Sequence, residues 1–347
     1  MSTGGRWAVG GCMVLLCMIG LYIAAVGEEA TLYWTGLLLF AIGVITIFGL
    51  IRASYDEAEG RPARRRHVVP ATMLGVALGS VLFHLFSPWW WGQIASNWQY
   101  IDDTINLTFW ITGLVFVAII VFMAYCTHRF RHRAGNRAHY EPESKRLEWT
   151  LTIVTAVGVG ALLAPGLFVW NQFITPPEDS TEIEAVGQQW YWSFRLPGDD
   201  GVLGTSATRL ISNDNPLGVN PDDPNGRDDV IVQSGALHLP LDQPVTVLLR
   251  SSDVLHNFYV PEFRVKMDLV PGMITEQWFT PTRTGTFQIL CAEFCGEQHY
   301  NMRGQVVVDE AADSAVWLAE QQTFGTMLAA AAGDGSTAVA TSEGTSP

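Results

Sequence analysis

Five apolar stretches, at roughly 8–26, 32–51, 68–88, 105–126 and 150–172, occupy most of the first half of this 347-residue chain. Each comes close to the ~20 residues that an α-helix needs to cross a bilayer. In hydrocarbon the backbone must satisfy its own hydrogen bonds, so a helix is the conformation open to such a stretch. The first stretch lacks a charged start and a small-residue cleavage site, and a second follows almost at once. It therefore reads as a span and not as a signal peptide.

The loops between the stretches set the orientation. The 52–67 loop carries Arg52, Arg61, Arg64, Arg65 and Arg66, and the 127–149 loop carries Arg129, Arg131, Arg133, Arg137, Lys145 and Arg146. Both are predicted to be cytoplasmic by the positive-inside rule. The loops at 27–31 and 89–104 contain no Lys or Arg, and Trp89, Trp90, Trp91 and Trp98 read as an interfacial aromatic belt on the outer side. Five crossings place the N-terminus inside and everything after about 174 outside, in a multi-pass protein of the cell membrane. Charged residues are nearly absent from the spans, so the spans alone show no ion pathway. Pro165 and Gly166 are expected to kink the last one unless neighbours re-satisfy its backbone. Glu148, just before that span, reads most simply as an acid favoured by the helix dipole.

Beyond position 175 the character changes. There are 24 Asp/Glu against 8 Lys/Arg, a balance of −16, which argues against a nucleic-acid partner. Only Lys145 and Lys266 are lysines, a composition that fits a salt-loving source or an Arg-favouring genome. Residues 174–181 form a Pro-broken linker. Trp190, Trp192 and Phe194 alternate, which predicts one strand with an aromatic face. Residues 196–228 are rich in Gly, Asp, Asn and Pro and read as a long loop. Short β-rich runs then recur at 229–234, 244–250, 257–260, 274–280, 285–291 and 304–309, the pattern of a β-sandwich. A helix is expected over 311–324, and from about 328 the Ala/Gly/Ser/Thr tail reads as disordered.

Cys291-Ala-Glu-Phe-Cys295-Gly-Glu-Gln-His299-Tyr-Asn-Met302 concentrates two thiols, an imidazole and a thioether in twelve residues, with His256 upstream. Cys12, Cys17 and Cys126 lie in apolar runs and read as small buried hydrophobes. Cys291 and Cys295 have a disulfide open to them outside the cytosol, but the nearby His and Met favour metal ligation. Two metals fit. Cys291, Cys295, His299 and His256 are a complete set for structural zinc. A mononuclear blue-copper site has one Cys fewer. Two coppers bridged by both thiolates use every donor, with one His each, Met302 as a weak ligand of one and a backbone carbonyl such as that of Glu293 for the other. Such a centre suits electron transfer, since no strong position stays open for a substrate.

These motifs resemble subunit II of haem–copper respiratory oxidases, specifically cytochrome c oxidases with a CuA centre. The resemblance covers about 100–330. It is carried by the copper loop, by Asp253-Val-Leu-His256, Lys266-Met-Asp268, Leu237-His-Leu-Pro240 and Gln189-Trp190-Tyr191-Trp192, and by the hairpin with Leu147-Glu148. The apolar stretches give about five transmembrane helices, and the resemblance implies that an all-β cupredoxin-like sandwich carrying CuA follows them. Cys291 and Cys295 would bridge two copper ions, completed by His256, His299, Met302 and the Glu293 carbonyl. The Glu293 side chain would bind a Mg²⁺ or Mn²⁺ shared with subunit I. Trp190 would be the electron-entry residue and Glu148 the entrance of the proton channel called the K-pathway. The implied partners are a haem-bearing subunit I, other oxidase subunits, the lipid membrane, and a cytochrome c or blue-copper donor. Oxygen reduction would take place in subunit I. No Cys-x-x-Cys-His motif occurs, so no c-type haem attachment is expected.

The domain expectation is therefore a three-span segment at 1–100, an extra anchor or fused small subunit that typical members lack, and a helical hairpin at 101–174. An extracytoplasmic CuA domain at 175–327 and a tail at 328–347 follow. The competing reading is a non-catalytic membrane anchor or assembly protein with a structural zinc or copper site.

Overall fold

The computed structural model describes residues 68–86, 92–130, 135, 137, 139–233 and 235–330. The predicted spans at 8–26 and 32–51, the 27–31 and 52–67 loops, Trp89–Trp91, Cys12, Cys17 and nearly all of the tail lie outside them. Three helices fall on the remaining apolar stretches: α1 (Val68–Phe86), α2 (Gln99–Arg129) and α3 (Lys145–Phe173). Among the described residues, α2 and α3 are long and apolar enough to cross a membrane, and α1 is a shorter apolar helix. Their large side chains face outward, with Leu114 72%, Phe122 65% and Val157 66% exposed, as lipid-solvated helices require. α3 runs as helix through Pro165.

The chain divides into two compact units, Met1–Trp90 with Ile105–Val157, and Trp91–Thr104 with Gly158–Pro347. Among its described residues the second contains ten strands: β1 (Thr181–Gln188), β2 (Tyr191–Leu196), β3 (Val230–Gln233), β4 (Leu237–Pro240), β5 (Val245–Ser251), β6 (His256–Val260), β7 (Val265–Leu269), β8 (Thr275–Phe279), β9 (Gly285–Cys291) and β10 (Arg303–Asp309). They form two five-stranded sheets, ordered β3-β2-β1-β5-β8 and β4-β10-β9-β6-β7. Most pairs are antiparallel, but β1 runs parallel to β5 and β4 parallel to β10. Ile183, Phe194, Val247, Leu249, Phe258, Phe263, Phe279, Ile289 and Val306, all buried, form the core. This is the expected cupredoxin-like sandwich.

Three expectations change. Trp190, Trp192 and Phe194 do not share one strand. Gln188 pairs with Tyr191, so Gln189 and Trp190 form the tight turn of a β1–β2 hairpin, and only Trp192 and Phe194 are buried. Trp98 is no interfacial belt residue. It is 1% exposed, its indole nitrogen donates to the Trp278 carbonyl (3.0 Å), and its ring packs on Trp278 and Phe173 at centroid distances of 4.7 and 4.9 Å. The predicted 311–324 helix is shorter, α4 (Ala311–Ala319), and a further helical turn begins at Phe324 and packs Met327 and Leu328 against Val186, Leu217, Val219 and Ile231.

Candidate metal centre

The sheet β4-β10-β9-β6-β7 places the cluster at one end of the sandwich. His256 is the first residue of β6, Cys291 is the last of β9, and Phe258 pairs with Cys291, so adjacent strand ends bring them together. The chain then loops through Cys295, makes a short 3₁₀ turn at His299–Asn301 and enters β10 just after Met302. This loop is where the sequence concentrates its soft donors, and the rigid strands on either side fix its ends.

The donors converge. Both cysteines are free, with sulfurs 3.7 Å apart. His256 Nδ1 lies 3.9 Å from Cys291 Sγ, and His299 Nδ1 lies 3.6 Å from Cys295 Sγ. Met302 Sδ is 3.7 Å from Cys295 Sγ, and the Glu293 carbonyl oxygen is 3.2 Å from Cys291 Sγ. The ligand atoms of His256, Cys291 and Cys295 all lie within 4.8 Å of one another, and His299 is not in that set. Each imidazole thus stands beside a different thiol, with the sulfur pair between them. Two thiols, two imidazole nitrogens, a thioether and a carbonyl fit the donor preferences of a sulfur-bridged copper pair. They fit one tetrahedral zinc less well, because four ligands around a single ion need comparable mutual distances.

The surroundings orient these donors, as partners behind metal ligands generally do. Asp253 Oδ1 sits 2.8 Å from His256 Nε2, which leaves Nδ1 facing the sulfurs. Asp253 Oδ2 accepts the Gln189 backbone N–H (2.7 Å), so one carboxylate joins the hairpin turn to the imidazole. Gln189 Nε2 and Trp190 Nε1 both donate to the Cys295 carbonyl, at 2.8 and 3.3 Å. Gly296 closes this arrangement. Its φ is +124°, and a Cβ there would meet Gln189 Nε2 at 2.9 Å and Trp190 Cζ2 at 3.1 Å. Below the imidazole a Cβ on Gly187 would meet the His256 ring at 3.1 Å, and Trp192 packs against it at 6.4 Å between centroids.

The electrostatics follow from this packing. Burial opposes ionisation of Cys291, but its hydrogen bonds to His256 and nearby backbone outweigh that and lower its pKa to about 6. Burial and the neighbouring Cys291 push Cys295 up to about 12. Burial also works against protonated His256, yet its bonds to Cys291 and Asp253 raise its pKa. Asp253 is opposed by burial and lowered by its bonds to His256 and the Gln189 N–H.

All six candidate donors therefore meet, and Trp190 lies against them through Cys295. Glu148 does not belong to the cluster; it is exposed in the first turn of α3. Sequence reasoning assigned no role to Asp253, Gln189 or Gly296. The i, i+3 spacing of Asp253 and His256 was a usable signal, but Gln189 and Cys295 lie 106 positions apart and become neighbours only in the fold.

A family model described as cytochrome c oxidase subunit II, periplasmic domain, matches residues 181–310. The alternative cytochrome c oxidase subunit 2 of Bradyrhizobium diazoefficiens is 63% identical over 256 residues, spanning 74% of this chain and 92% of that protein. The chain belongs to the cytochrome c oxidase subunit II family. The cytochrome c oxidase subunit 2 of Cereibacter sphaeroides is 32% identical over 238 residues, covering 62% of this chain and 76% of the relative. The periplasmic domain of the Bradyrhizobium japonicum subunit II crystal structure is 31% identical, covers 42% of this chain and 94% of its own, and superposes with a TM-score of 0.31. Members of this family are subunits of an oxidoreductase complex. Among the described residues, two helices long and apolar enough to cross a membrane precede the domain that the periplasmic model matches.

Proposed function

We propose that this chain is the electron-input subunit of a respiratory haem–copper oxidase. It would receive electrons from a cytochrome c or blue-copper donor and pass them to the haem of subunit I, where oxygen is reduced to water with coupled proton translocation. The observation that carries this is the paired arrangement of donors. Each imidazole Nδ1 faces its own thiol, the sulfurs lie 3.7 Å apart, and a thioether and a carbonyl flank them. Two copper ions held there by His256, Cys291, Glu293, Cys295, His299 and Met302 would supply reversible one-electron storage.

The remaining roles belong to the chain itself. Asp253 holds His256 with Nδ1 toward the sulfurs. Buried Cys291, Cys295 and Met302 keep water from the sulfurs. Trp190 bonds to the Cys295 carbonyl at the hairpin turn, which supports it as the entry residue for electrons. The Glu293 carboxylate has no hydrogen-bond partner among the described residues, so it stays available to a Mg²⁺ or Mn²⁺ shared with subunit I. Glu148, exposed at the basic end of α3, is proposed as the proton-channel entrance. The topology proposed is multi-pass, with the N-terminus cytoplasmic, residues 1–100 as an added anchor or fused subunit, a hairpin at 101–174 and the copper domain at 175–327 outside.

The test is metal content and spectroscopy of the purified full chain. Two coppers per chain with one unpaired electron shared between them are expected, and Cys295→Ser should abolish electron entry while the domain stays folded. One zinc and no copper would overturn the proposal in favour of a structural site.

A further inference from the structure

A second feature lies at the same end of the sandwich. Pairing of β4 with β10 begins only at Leu237–Val306, so residues 303–305 have no β4 neighbour. Opposite them stands the start of β2. The gap is a cleft of about 330 Å³ lined by Tyr191, Trp192, Gln288, Arg303, Gly304 and Gln305, with two small residues completing the wall.

Two independent observations make this cleft more than a crevice. Trp192 is 2% exposed, and its indole N–H is buried without a hydrogen-bond partner. Such a group costs free energy unless something accepts from it. A Cβ on Gly304 would lie 2.9 Å from Trp192 Cδ1, the atom bonded to that nitrogen, so the pyrrole edge of the indole faces the Gly304 wall. The lining also carries one cation and no acid, in a region whose overall balance is −16. Arg303 makes no ion pair among the described residues, and its bond is to the Gln288 side-chain carbonyl at 3.2 Å. The Trp192 indole N–H and the Arg303 guanidinium are donors among the lining groups, and the Gln288 side-chain carbonyl is already taken by Arg303. A single guanidinium balances a single negative charge, and its planar fork matches a carboxylate.

We propose that this cleft binds a small carboxylate, either free in solution or carried on a neighbouring chain of the complex. The acceptor satisfies the Trp192 N–H and pairs with Arg303. Trp192 touches the His256 ring and Arg303 follows Met302 directly, so occupancy is felt at the metal cluster.

The test uses the full chain, metal-free and labelled with ¹⁵N at its indole nitrogens, titrated with sodium acetate against sodium chloride at matched ionic strength. The Trp192 N–H resonance is identified by its loss in Trp192→Phe. Gly304→Ala, whose new Cβ crowds the same ring edge, moves that resonance and supplies the assignment should Trp192→Phe not fold. A saturable acetate shift of this one resonance is expected, weakened about tenfold or more by Arg303→Gln, since charge-assisted bonds carry at least that factor. Arg303 is exposed, so the variant should fold. In the assembled oxidase, a persisting shift assigns the site to a free carboxylate, and a shift lost there assigns it to a carboxylate of an adjoining chain. No saturable shift on the full chain, a shift that chloride reproduces, or one unaffected by Arg303→Gln overturns the proposal.

Discussion

Cys291 and Cys295 sit one helical-turn spacing apart in sequence, yet their packing drives their protons in opposite directions. Cys291 accepts from an imidazole and backbone groups and falls to about 6, while Cys295, buried beside that incipient thiolate, rises to about 12. At neutral pH the metal-free pair therefore keeps one proton, on Cys295. Only thiolate reacts with alkylating reagents. Limited iodoacetamide treatment of the metal-free chain should label Cys291 before Cys295. Because the Cys291 pKa is depressed, its rate should be level above about 7 and fall about tenfold per pH unit below about 6. Mass spectrometry of the Cys291–Cys295 peptide checks both. Labelling of Cys295 first, or a Cys291 rate still climbing at pH well above 7, would contradict the assignment. Gly296 belongs to the same scale. A left-handed φ and a crowded Cβ position both demand glycine there, so the Gln189 and Trp190 bonds to Cys295 depend on a residue with no side chain.

Among elements, the hairpin β1–β2 and the strand β3 are tied to the long 196–228 loop by buried charge. Arg195 Nε bonds to Glu184 and its Nη1 to Asp229 and the Gly204 carbonyl, and Arg250 holds the other oxygen of Glu184. Asp229 is 0% exposed; burial raises its pKa, and Arg195 works against that rise. Removing one partner from such a buried group typically costs about 3–5 kcal/mol. Arg195→Met should therefore lower unfolding free energy by about that much near neutral pH. The sign with pH follows from Asp229. Its folded pKa lies above 3.8, the ionised form is the disfavoured one, and loss of Arg195 moves that pKa further up. The deficit should shrink as pH falls through the new value, because protonation removes the stranded charge. Denaturant unfolding across a pH series measures this; a deficit that does not change with pH would assign the loss to packing alone. The elements themselves were unevenly legible. β3, β5, β6, β8, β9 and β10 follow hydrophobic runs bounded by turn residues. β4 (Leu-His-Leu-Pro) and β7 (Val-Lys-Met-Asp-Leu) do alternate apolar and polar residues, but over only four and five positions, too short a run to stand out. The hairpin escaped because its turn, Gln189-Trp190, has no Gly, Asn or Asp and leaves an alternating aromatic pattern uninterrupted. The metal loop was readable because its donors are four, four and three residues apart, whereas its supports come from the β1–β2 turn and the β5–β6 loop.

At the scale of the whole molecule, the sandwich is not built from the contiguous segment after 175 alone. Residues 91–104, which run into the first turns of α2, belong to its compact unit. Ala95 and Trp98 are buried in its core, Ser96 Oγ donates to the Phe263 carbonyl at 2.8 Å, and Asp102 pairs with Arg264 through two bonds of 2.8 and 2.9 Å. No sequence pattern signals this, because Trp98 finds Trp278 across 180 positions and looks, in isolation, like a membrane-interface tryptophan. The consequence is a specific loss on truncation. A fragment beginning at 175 lacks the indole that Trp278 and Phe173 enclose, and large-to-small changes at such aromatic positions cost about 3–5 kcal/mol. Trp98→Ala in the full chain should lower the guanidinium midpoint of the β-domain by roughly 1 M, given typical denaturant slopes for a domain of this size. The 175–330 fragment should show a deficit at least as large, because it also loses Asp102 from the Arg264 guanidinium. Near-UV circular dichroism, which reports the packed tryptophans, follows both transitions. Equal midpoints for the fragment, the variant and the full chain would mean that the 91–104 segment lies against the sandwich without stabilising it.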